Sequence, residues 1–124
     1  MNVVDSSGWL EYFADGPNAD FFSAAVESVA ELIVPSISIY EVFKRVLQQR
    51  DESHALQAIA VMQQGTVVAL DTATALGAAK LSVESKLPMA DSVMLATARA
   101  HDATLWTQDA DFKGTDGVEY IEKR

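Results

Sequence analysis

The stretch MNVVDSSGW (1–9) decides the fold, because an acidic residue there joins a short apolar run to a helical pattern. NVVD (2–5) predicts a first strand that ends at Asp5. Ser6 or Ser7 is predicted to cap the helix that follows. A strand that leads directly into a helix is the repeating unit of α/β folds with parallel sheets.

The rest of the chain repeats this alternation of apolar runs and helical periodicity. The further predicted strands are 32–36, 66–70, 103–107 and 118–121. The further predicted helices cover 21–30, 36–50, 53–64, 72–83 and 90–101. This order predicts a three-layer α/β/α fold with a central parallel sheet of four to five strands. Strand order 3-2-1-4-5 would bring the ends of strands one and four into one crevice. We expect one domain over residues 1–124.

Composition narrows the classes of protein that the chain can represent. Its 124 residues are 49% apolar, contain no cysteine and carry a net charge of −9. No apolar run approaches the roughly 20 residues needed to cross a bilayer. We therefore expect a cytoplasmic protein without membrane association. The acidic charge argues against nucleic-acid binding through a broad basic face, so any such contact must be local or depend on metal ions.

Four acidic residues occupy related positions in the predicted fold. Asp5 and Asp109 follow strands one and four, while Glu41 and Asp91 lie near the starts of two helices. Carboxylates that converge would repel one another unless a cation lay between them. Oxygen ligands of this kind favour Mg²⁺ or Mn²⁺, and such ions commonly serve phosphodiester chemistry.

Each acid also has an ordinary structural interpretation. Asp5 and Asp109 are suited to capping the turns that follow them, and Asp91 lies in a first helical turn, where the helix dipole favours acids. Ser38 and Glu41 match the S-x-x-E capping box, which predicts a purely structural role for Glu41.

Two hydroxyl side chains accompany the acids. Thr107 lies two residues before Asp109 and is predicted to orient Asp5 or a metal-bound water, and Ser6 is predicted to do likewise. The alternative for both hydroxyls is a local hydrogen bond to the backbone.

Four blocks of sequence, in this order, resemble the PIN-domain ribonucleases, and among them the VapC-type toxins of prokaryotic toxin–antitoxin pairs. The blocks are NVVDSS (2–7), SISIYEVFKR (36–45), LPMADSVMLATA (87–98) and LWTQDADF (105–112). The resemblance covers nearly the whole chain. It implies a PIN-like fold and a Mg²⁺- or Mn²⁺-dependent endoribonuclease that leaves a 5′-phosphate and a 3′-hydroxyl.

The resemblance also assigns roles to individual residues. The implied metal-binding and catalytic acids are Asp5, Glu41, Asp91 and Asp109. Thr107 matches the hydroxyl that supports the metal shell in the family, and Asp111 matches a frequent acidic neighbour. Gln108 departs from the pattern, because many relatives carry a basic residue there; a substrate contact from this position is therefore in question.

The implied partners are an RNA substrate, a separately encoded antitoxin and a second copy of the chain. Lys44 and Arg45 follow Glu41 on one predicted helix and are candidate RNA contacts, although a solvated helix face is the commoner explanation for most of the chain's basic residues. Two other functions stay open: a PIN-type nuclease of RNA processing or DNA repair, and a catalytically silent interaction domain with the same fold.

Overall fold

A computed structural model describes all 124 residues and contains one parallel sheet of five strands in the order β3-β2-β1-β4-β5. The strands are β1 (Asn2–Val4), β2 (Leu32–Pro35), β3 (Thr66–Val68), β4 (Thr104–Thr107) and β5 (Val118–Tyr120). The predicted α/β fold and strand order are confirmed, and each strand is one or two residues shorter than predicted. β1 is central, with β2 and β4 as its parallel neighbours.

Six α-helices connect and flank the strands. They are α1 (Ser6–Phe13), α2 (Ala19–Val26), α3 (Ser36–Gln49), α4 (Glu52–Met62), α5 (Thr72–Ser85) and α6 (Met89–Ala100). Short 3₁₀ turns cover Val29–Glu31 and Ala110–Phe112. None of the helices is both long and apolar enough to cross a bilayer.

The central strand shows why the fold has three layers. Successive side chains of a strand point to opposite faces of the sheet. Val4 packs in a cluster with Trp9 and Phe22, whereas Val3 packs in a second cluster with Met94. Both valines are fully buried, so helices cover the sheet on both faces.

The structure decides between the caps that the sequence offered for α1, and the ordinary structural interpretation of Asp5 is the one confirmed. The N-cap is Asp5, whose Oδ1 accepts a hydrogen bond from the Gly8 backbone N–H at 2.8 Å, rather than Ser6 or Ser7. Gly8 is required for close packing here, because a Cβ on it would lie 2.5 Å from Phe22 Cε1 and 2.7 Å from Val4 Cγ1.

The predicted capping box of α3 is wrong. Pro35 ends β2 and is itself the N-cap of α3, with no side-chain cap. The helix therefore begins at Ser36, and Glu41 falls in its second turn, beyond reach of the cap position. Ser38 is fully buried and its hydroxyl has no hydrogen-bond partner. The Glu41 carboxylate is thus available for other contacts.

Candidate metal and active site

The sheet topology brings the predicted acids to one edge. Asp5 directly follows β1, and its backbone N–H donates to the Trp106 carbonyl of the neighbouring strand β4 at 3.1 Å. Asp109 comes two residues after β4 ends. Glu41 lies on α3 and Asp91 on α6, and the charges of Asp5, Asp109 and Glu41 all act on Asp91.

Asp5 is the buried member of the group, with 2% of its surface exposed. Its carboxylate accepts hydrogen bonds from the Ser7 hydroxyl and the Gly8 N–H, both at 2.8 Å, and from the Thr107 hydroxyl. Burial raises the pKa of Asp5 to about 6, with a smaller contribution from Asp109, although the three hydrogen bonds oppose the rise. Burial therefore outweighs the hydrogen bonds, and the ionised form lacks a compensating positive charge.

Thr107 links two of the acids. Its fully buried hydroxyl donates to Asp5 Oδ2 and accepts a hydrogen bond from the Asp109 backbone N–H at 2.9 Å. This arrangement fixes Asp5 relative to the loop that carries Asp109. It matches the prediction that Thr107 orients Asp5, while a contact of Thr107 with a metal-bound water stays a prediction.

Ser6 has the corresponding relation to Glu41. The Ser6 hydroxyl donates to Glu41 Oε1 at 2.6 Å, across 35 residues of sequence. The local backbone hydrogen bond that we considered as the alternative for Ser6 is therefore not the one formed. A side chain at the start of α1 instead orients an acid of α3.

The more accessible part of the site is a cluster of three carboxylates, of which Asp91 and Asp109 are half-buried and Asp111 is exposed. One oxygen from each of Asp91, Asp109 and Asp111 lies within 4.8 Å of the others. Burial, followed by the charges of Asp109 and Asp5, raises the pKa of Asp91 to about 7. Asp109 also accepts a hydrogen bond from the Asp111 backbone N–H at 2.9 Å, which orients its carboxylate.

No lysine or arginine neutralises these acids. The one side-chain ion pair within 4.0 Å joins His54 and Asp51, at the junction of α3 and α4. Lys44 and Arg45 are exposed on α3, and the Lys44 ammonium lies 5.7 Å from the centroid of the Tyr40 ring. Oxygen ligands with raised pKa values and no positive partner fit a hard divalent cation.

Sequence reasoning missed two contributors to this region. Ser7 was considered only as a cap, whereas its hydroxyl donates to Asp5. Gln108 and Asn18 are both buried, and Asn18 Nδ2 donates to Gln108 Oε1 at 2.9 Å. No local pattern indicates a contact between residues 90 positions apart. For the Ser7–Asp5 hydrogen bond, the separation of only two residues was the signal that the sequence offered.

The fold and its acidic edge define an α/β protein with a carboxylate site at the carboxyl end of a parallel sheet. A sequence profile of the PIN domain matches residues 3–118. The chain belongs to the PIN domain family. The predicted family is therefore confirmed.

Similar solved structures share the fold. A toxin–antitoxin complex from Klebsiella pneumoniae aligns with a TM-score of 0.83 and 22% identity, covering 99% of this chain and 100% of that one. The sarcin–ricin loop cleaving toxin VapC20 of Mycobacterium tuberculosis gives 0.77 and 15%, covering 94% and 95%. VapBC2 of Rickettsia felis, bound to a promoter DNA fragment, gives 0.76 and 15%, covering 98% and 97%. No curated protein matches the chain.

Proposed function

We propose that the chain is a Mg²⁺- or Mn²⁺-dependent endoribonuclease that acts as the toxin of a type II toxin–antitoxin pair. One observation carries the proposal: four carboxylates without a cationic partner converge at the carboxyl edge of a PIN-family sheet. The similar structure described as a toxin–antitoxin complex and the one described as a cleaving toxin support the biological role. We place the protein in the cytoplasm, where RNA is accessible.

Each residue of the site has a defined part in this chemistry. The proposed metal ligands are Asp5, Glu41, Asp91 and Asp109, with Asp111 as an additional acid at the rim. Thr107 and Ser6 hold Asp5 and Glu41 in fixed orientations through their hydroxyls. When bound, a divalent cation supplies positive charge to the scissile phosphate and lowers the pKa of water in the site.

The reaction is hydrolysis of an RNA phosphodiester bond. A water oxygen forms a bond to phosphorus while the bond from phosphorus to the 3′ oxygen breaks. The departing oxygen takes up a proton and becomes a 3′-hydroxyl, and the phosphate stays on the 5′ end of the other fragment. The attacking water gives up a proton as its oxygen bonds to phosphorus. In the empty site burial and neighbouring acids raise the pKa of Asp5 to about 6 and that of Asp91 to about 7, and a bound cation would favour the ionised form of both ligands.

RNA must be attracted to a chain of net charge −9. We propose that Lys44 and Arg45, exposed on the helix that carries Glu41, contact the phosphates that flank the cleaved bond. Metal ions at the acidic site would add to this attraction.

We propose that the antitoxin binds in a groove between α1, α3 and α4. The groove has a volume of about 370 Å³, and its apolar lining residues are Leu10, Phe13, Ala14, Val46, Ala58 and Val61. Both α1 and α3 run from the acidic site, at Ser6 and Glu41, into this groove. One antitoxin segment can therefore place an apolar helix in the groove and a basic side chain among the acids.

A homodimer is the oligomeric state that we propose. Helices α3, α5 and α6 share an apolar cluster formed by Ala78, Val93 and Ala96 with Ile37 and Leu81. Outside it, large apolar side chains on the same helices are strongly exposed: Tyr40 (63%), Leu76 (64%), Val83 (81%) and Met89 (73%). We propose that these side chains belong to one interaction surface and that a second copy of the chain covers it.

Cleavage of total cellular RNA by the purified chain tests the enzymatic part of the proposal. Reactions contain Mg²⁺, Mn²⁺ or EDTA, and Asp91→Asn serves as the inactive control. We expect discrete fragments with 5′-phosphate ends that require metal and are absent with the variant. Addition of the product of the neighbouring antitoxin gene is expected to stop the reaction.

Other results would favour the alternative functions. Metal-dependent cleavage that no neighbouring gene product inhibits, in a chain that cells tolerate, would favour a nuclease of RNA processing. A folded chain that neither cleaves RNA nor binds Mn²⁺ would favour the silent interaction domain and overturn the proposal.

A further inference from the structure

A second cavity adjoins the acidic site on the side of the chain end. Its volume is about 460 Å³, and its walls include Ser7, Gln108, Asp109, Tyr120, Glu122 and Lys123. The cavity shares Asp109 with the carboxylate cluster, so the two adjoin and an extended ligand at the acids has room to continue into the cavity. Its volume lies within the range of roughly 300–1,000 Å³ that is usual for ligand sites.

The orientation of the Gln108 side chain is determined by a chain of hydrogen bonds. Asn18 Nδ2 donates to the Glu122 backbone carbonyl at 3.1 Å, and a carbonyl oxygen can only accept. The amide nitrogen of Asn18 must therefore point in this direction. The same nitrogen donates to Gln108 at 2.9 Å, so the Gln108 atom that faces Asn18 is the oxygen Oε1.

The Gln108 amide nitrogen is consequently left without a protein partner. Gln108 is only 4% exposed, yet Nε2 donates no hydrogen bond within the protein and is not sealed from solvent. Because Gln108 lines the cavity, its two free N–H donors can meet an acceptor there, which is water in the empty cavity or a ligand that displaces the water. The amide is held rigidly, which suits it to recognition.

The charges of the cavity select the kind of ligand. Two acids, Asp109 and Glu122, face one cation, Lys123, so a phosphate would meet net negative charge. A neutral ring meets no such penalty. Tyr120 offers an aromatic ring in the same wall, and bases of single-stranded RNA are commonly held by aromatic rings and amide side chains.

We propose that this cavity binds the base of a nucleotide next to the cleaved phosphodiester bond. The Gln108 Nε2 hydrogens donate to a carbonyl oxygen or ring nitrogen of that base, and Tyr120 contacts its ring. Gln108 is thus a specificity-determining residue. This inference rests on the proposed ribonuclease function, because it assumes that RNA occupies the acidic site.

Sequencing of cleavage ends tests the inference. Wild type, Gln108→Glu and Gln108→Met are each incubated with Mn²⁺ and a single-stranded RNA library of random sequence. Glutamate keeps the acceptor toward Asn18 but has no donor for a base, and methionine removes the donors without adding charge. The control is Gln48→Glu, which makes the same change at an exposed position of α3.

We expect both Gln108 variants to change the base preference at one position beside the cut by roughly two- to tenfold, the effect of one hydrogen bond. The control should keep the wild-type preference. If both variants cleave with an unchanged preference at every position, the inference fails while the ribonuclease function stands.

A second measurement separates failure of the inference from failure of the proposed function. RNA that contains 4-thiouridine is photocrosslinked to the Asp91→Asn variant, and the tryptic peptides are identified by mass spectrometry. Crosslinks in GTDGVEYIEK (114–123), which carries Tyr120 and Lys123, would support the base site even if wild type did not cleave RNA. Crosslinks confined to peptides outside 100–123 would overturn it.

Discussion

The two halves of the acidic site are built differently. Asp5, in the buried half, is held by donors from Ser7, Gly8 and Thr107. Asp91, in the more accessible half, is half-buried, receives no hydrogen bond from a backbone N–H or a hydroxyl, and lies beside other carboxylates. One acid is oriented by the protein before anything binds, whereas the other is surrounded by like charge.

This difference separates the requirements of folding from those of ligand binding. Asp5 caps α1 and connects it to β4 through Thr107, so it contributes to the fold as well as to the site. Asp91 destabilises the empty site, because burial and neighbouring charges oppose its ionised form. A residue that lowers the stability of the empty site is expected to contact a ligand or substrate.

The largest expected effect is on activity, from Asp91→Asn. Cleavage should fall by more than the roughly 10–100-fold that loss of an outer-shell partner costs. The unfolding temperature in EDTA should rise, because the substitution removes a charge that its surroundings disfavour. Initial rates and thermal melting measure the two effects, with the exposed Asp20→Asn as the matched control. A lower unfolding temperature than wild type would contradict the contrast between the two halves.

The second prediction concerns pH. The folded-state pKa values of Asp5 and Asp91, about 6 and 7, exceed the unfolded value of 3.8. The folded state therefore binds protons more tightly, so stability is greatest below the unfolded pKa and is lost as pH rises from about 4 to about 7. Asp5 alone accounts for about 3 kcal/mol of this loss.

Thermal melting across this pH window, in EDTA and in Mn²⁺, measures the effect. In EDTA the unfolding temperature should fall as pH rises through the window. With saturating Mn²⁺ the fall should weaken or reverse, because the cation binds the ionised carboxylates. The Asp91→Asn variant should show a smaller dependence; an unchanged dependence would show that other groups dominate.

Thr107→Val tests the link between the halves. The substitution removes the donor to Asp5 and the acceptor for the Asp109 N–H while nearly preserving shape. We expect Mn²⁺ affinity to fall roughly 10–100-fold and stability to decrease by about 1 kcal/mol. Mn²⁺ titration and denaturant unfolding measure these changes. Thr104→Val, at the start of the same strand, is the control. If both variants lost Mn²⁺ affinity and stability equally, the loss would come from a change in β4 and not from the Thr107 hydroxyl.

The smallest expected effect comes from Asp111→Asn. Asp111 is exposed at the rim of the carboxylate cluster. We expect a loss of cleavage of only a few-fold, about the effect of one solvent-screened charge. Initial rates at several Mn²⁺ concentrations measure it. A loss as large as that of Asp91→Asn would instead make Asp111 a principal ligand and extend the more accessible half of the site to the rim.

Much of the fold could be predicted because its signals are local. Apolar runs alternate with helical periodicity along the chain, and a parallel sheet then allows few strand orders. The sequence predicts the start of α3 at residue 36 correctly, but its cap was misjudged because Ser38 and Glu41 match a capping box by spacing alone. Pro35 leads the chain directly from β2 into the helix, which moves Glu41 out of capping range.

The sequence predicted a site residue only where its position along a strand or helix determines which edge of the sheet it reaches. Asp5 and Asp109 follow neighbouring strands, so topology alone brings them to one edge. The Ser6–Glu41 and Asn18–Gln108 hydrogen bonds join residues 35 and 90 positions apart, and they depend on packing that no local pattern encodes.

Gly8 has a consequence for genetics. Its missing side chain lets α1 lie against Phe22 and Val4, and this close approach delivers the N–H that holds Asp5. If the chain is toxic, colonies that survive its expression should repeatedly carry codons for larger residues at position 8. Such survivors would mark a residue that no ligand touches, and a search for inactivating mutations limited to acidic codons would overlook it.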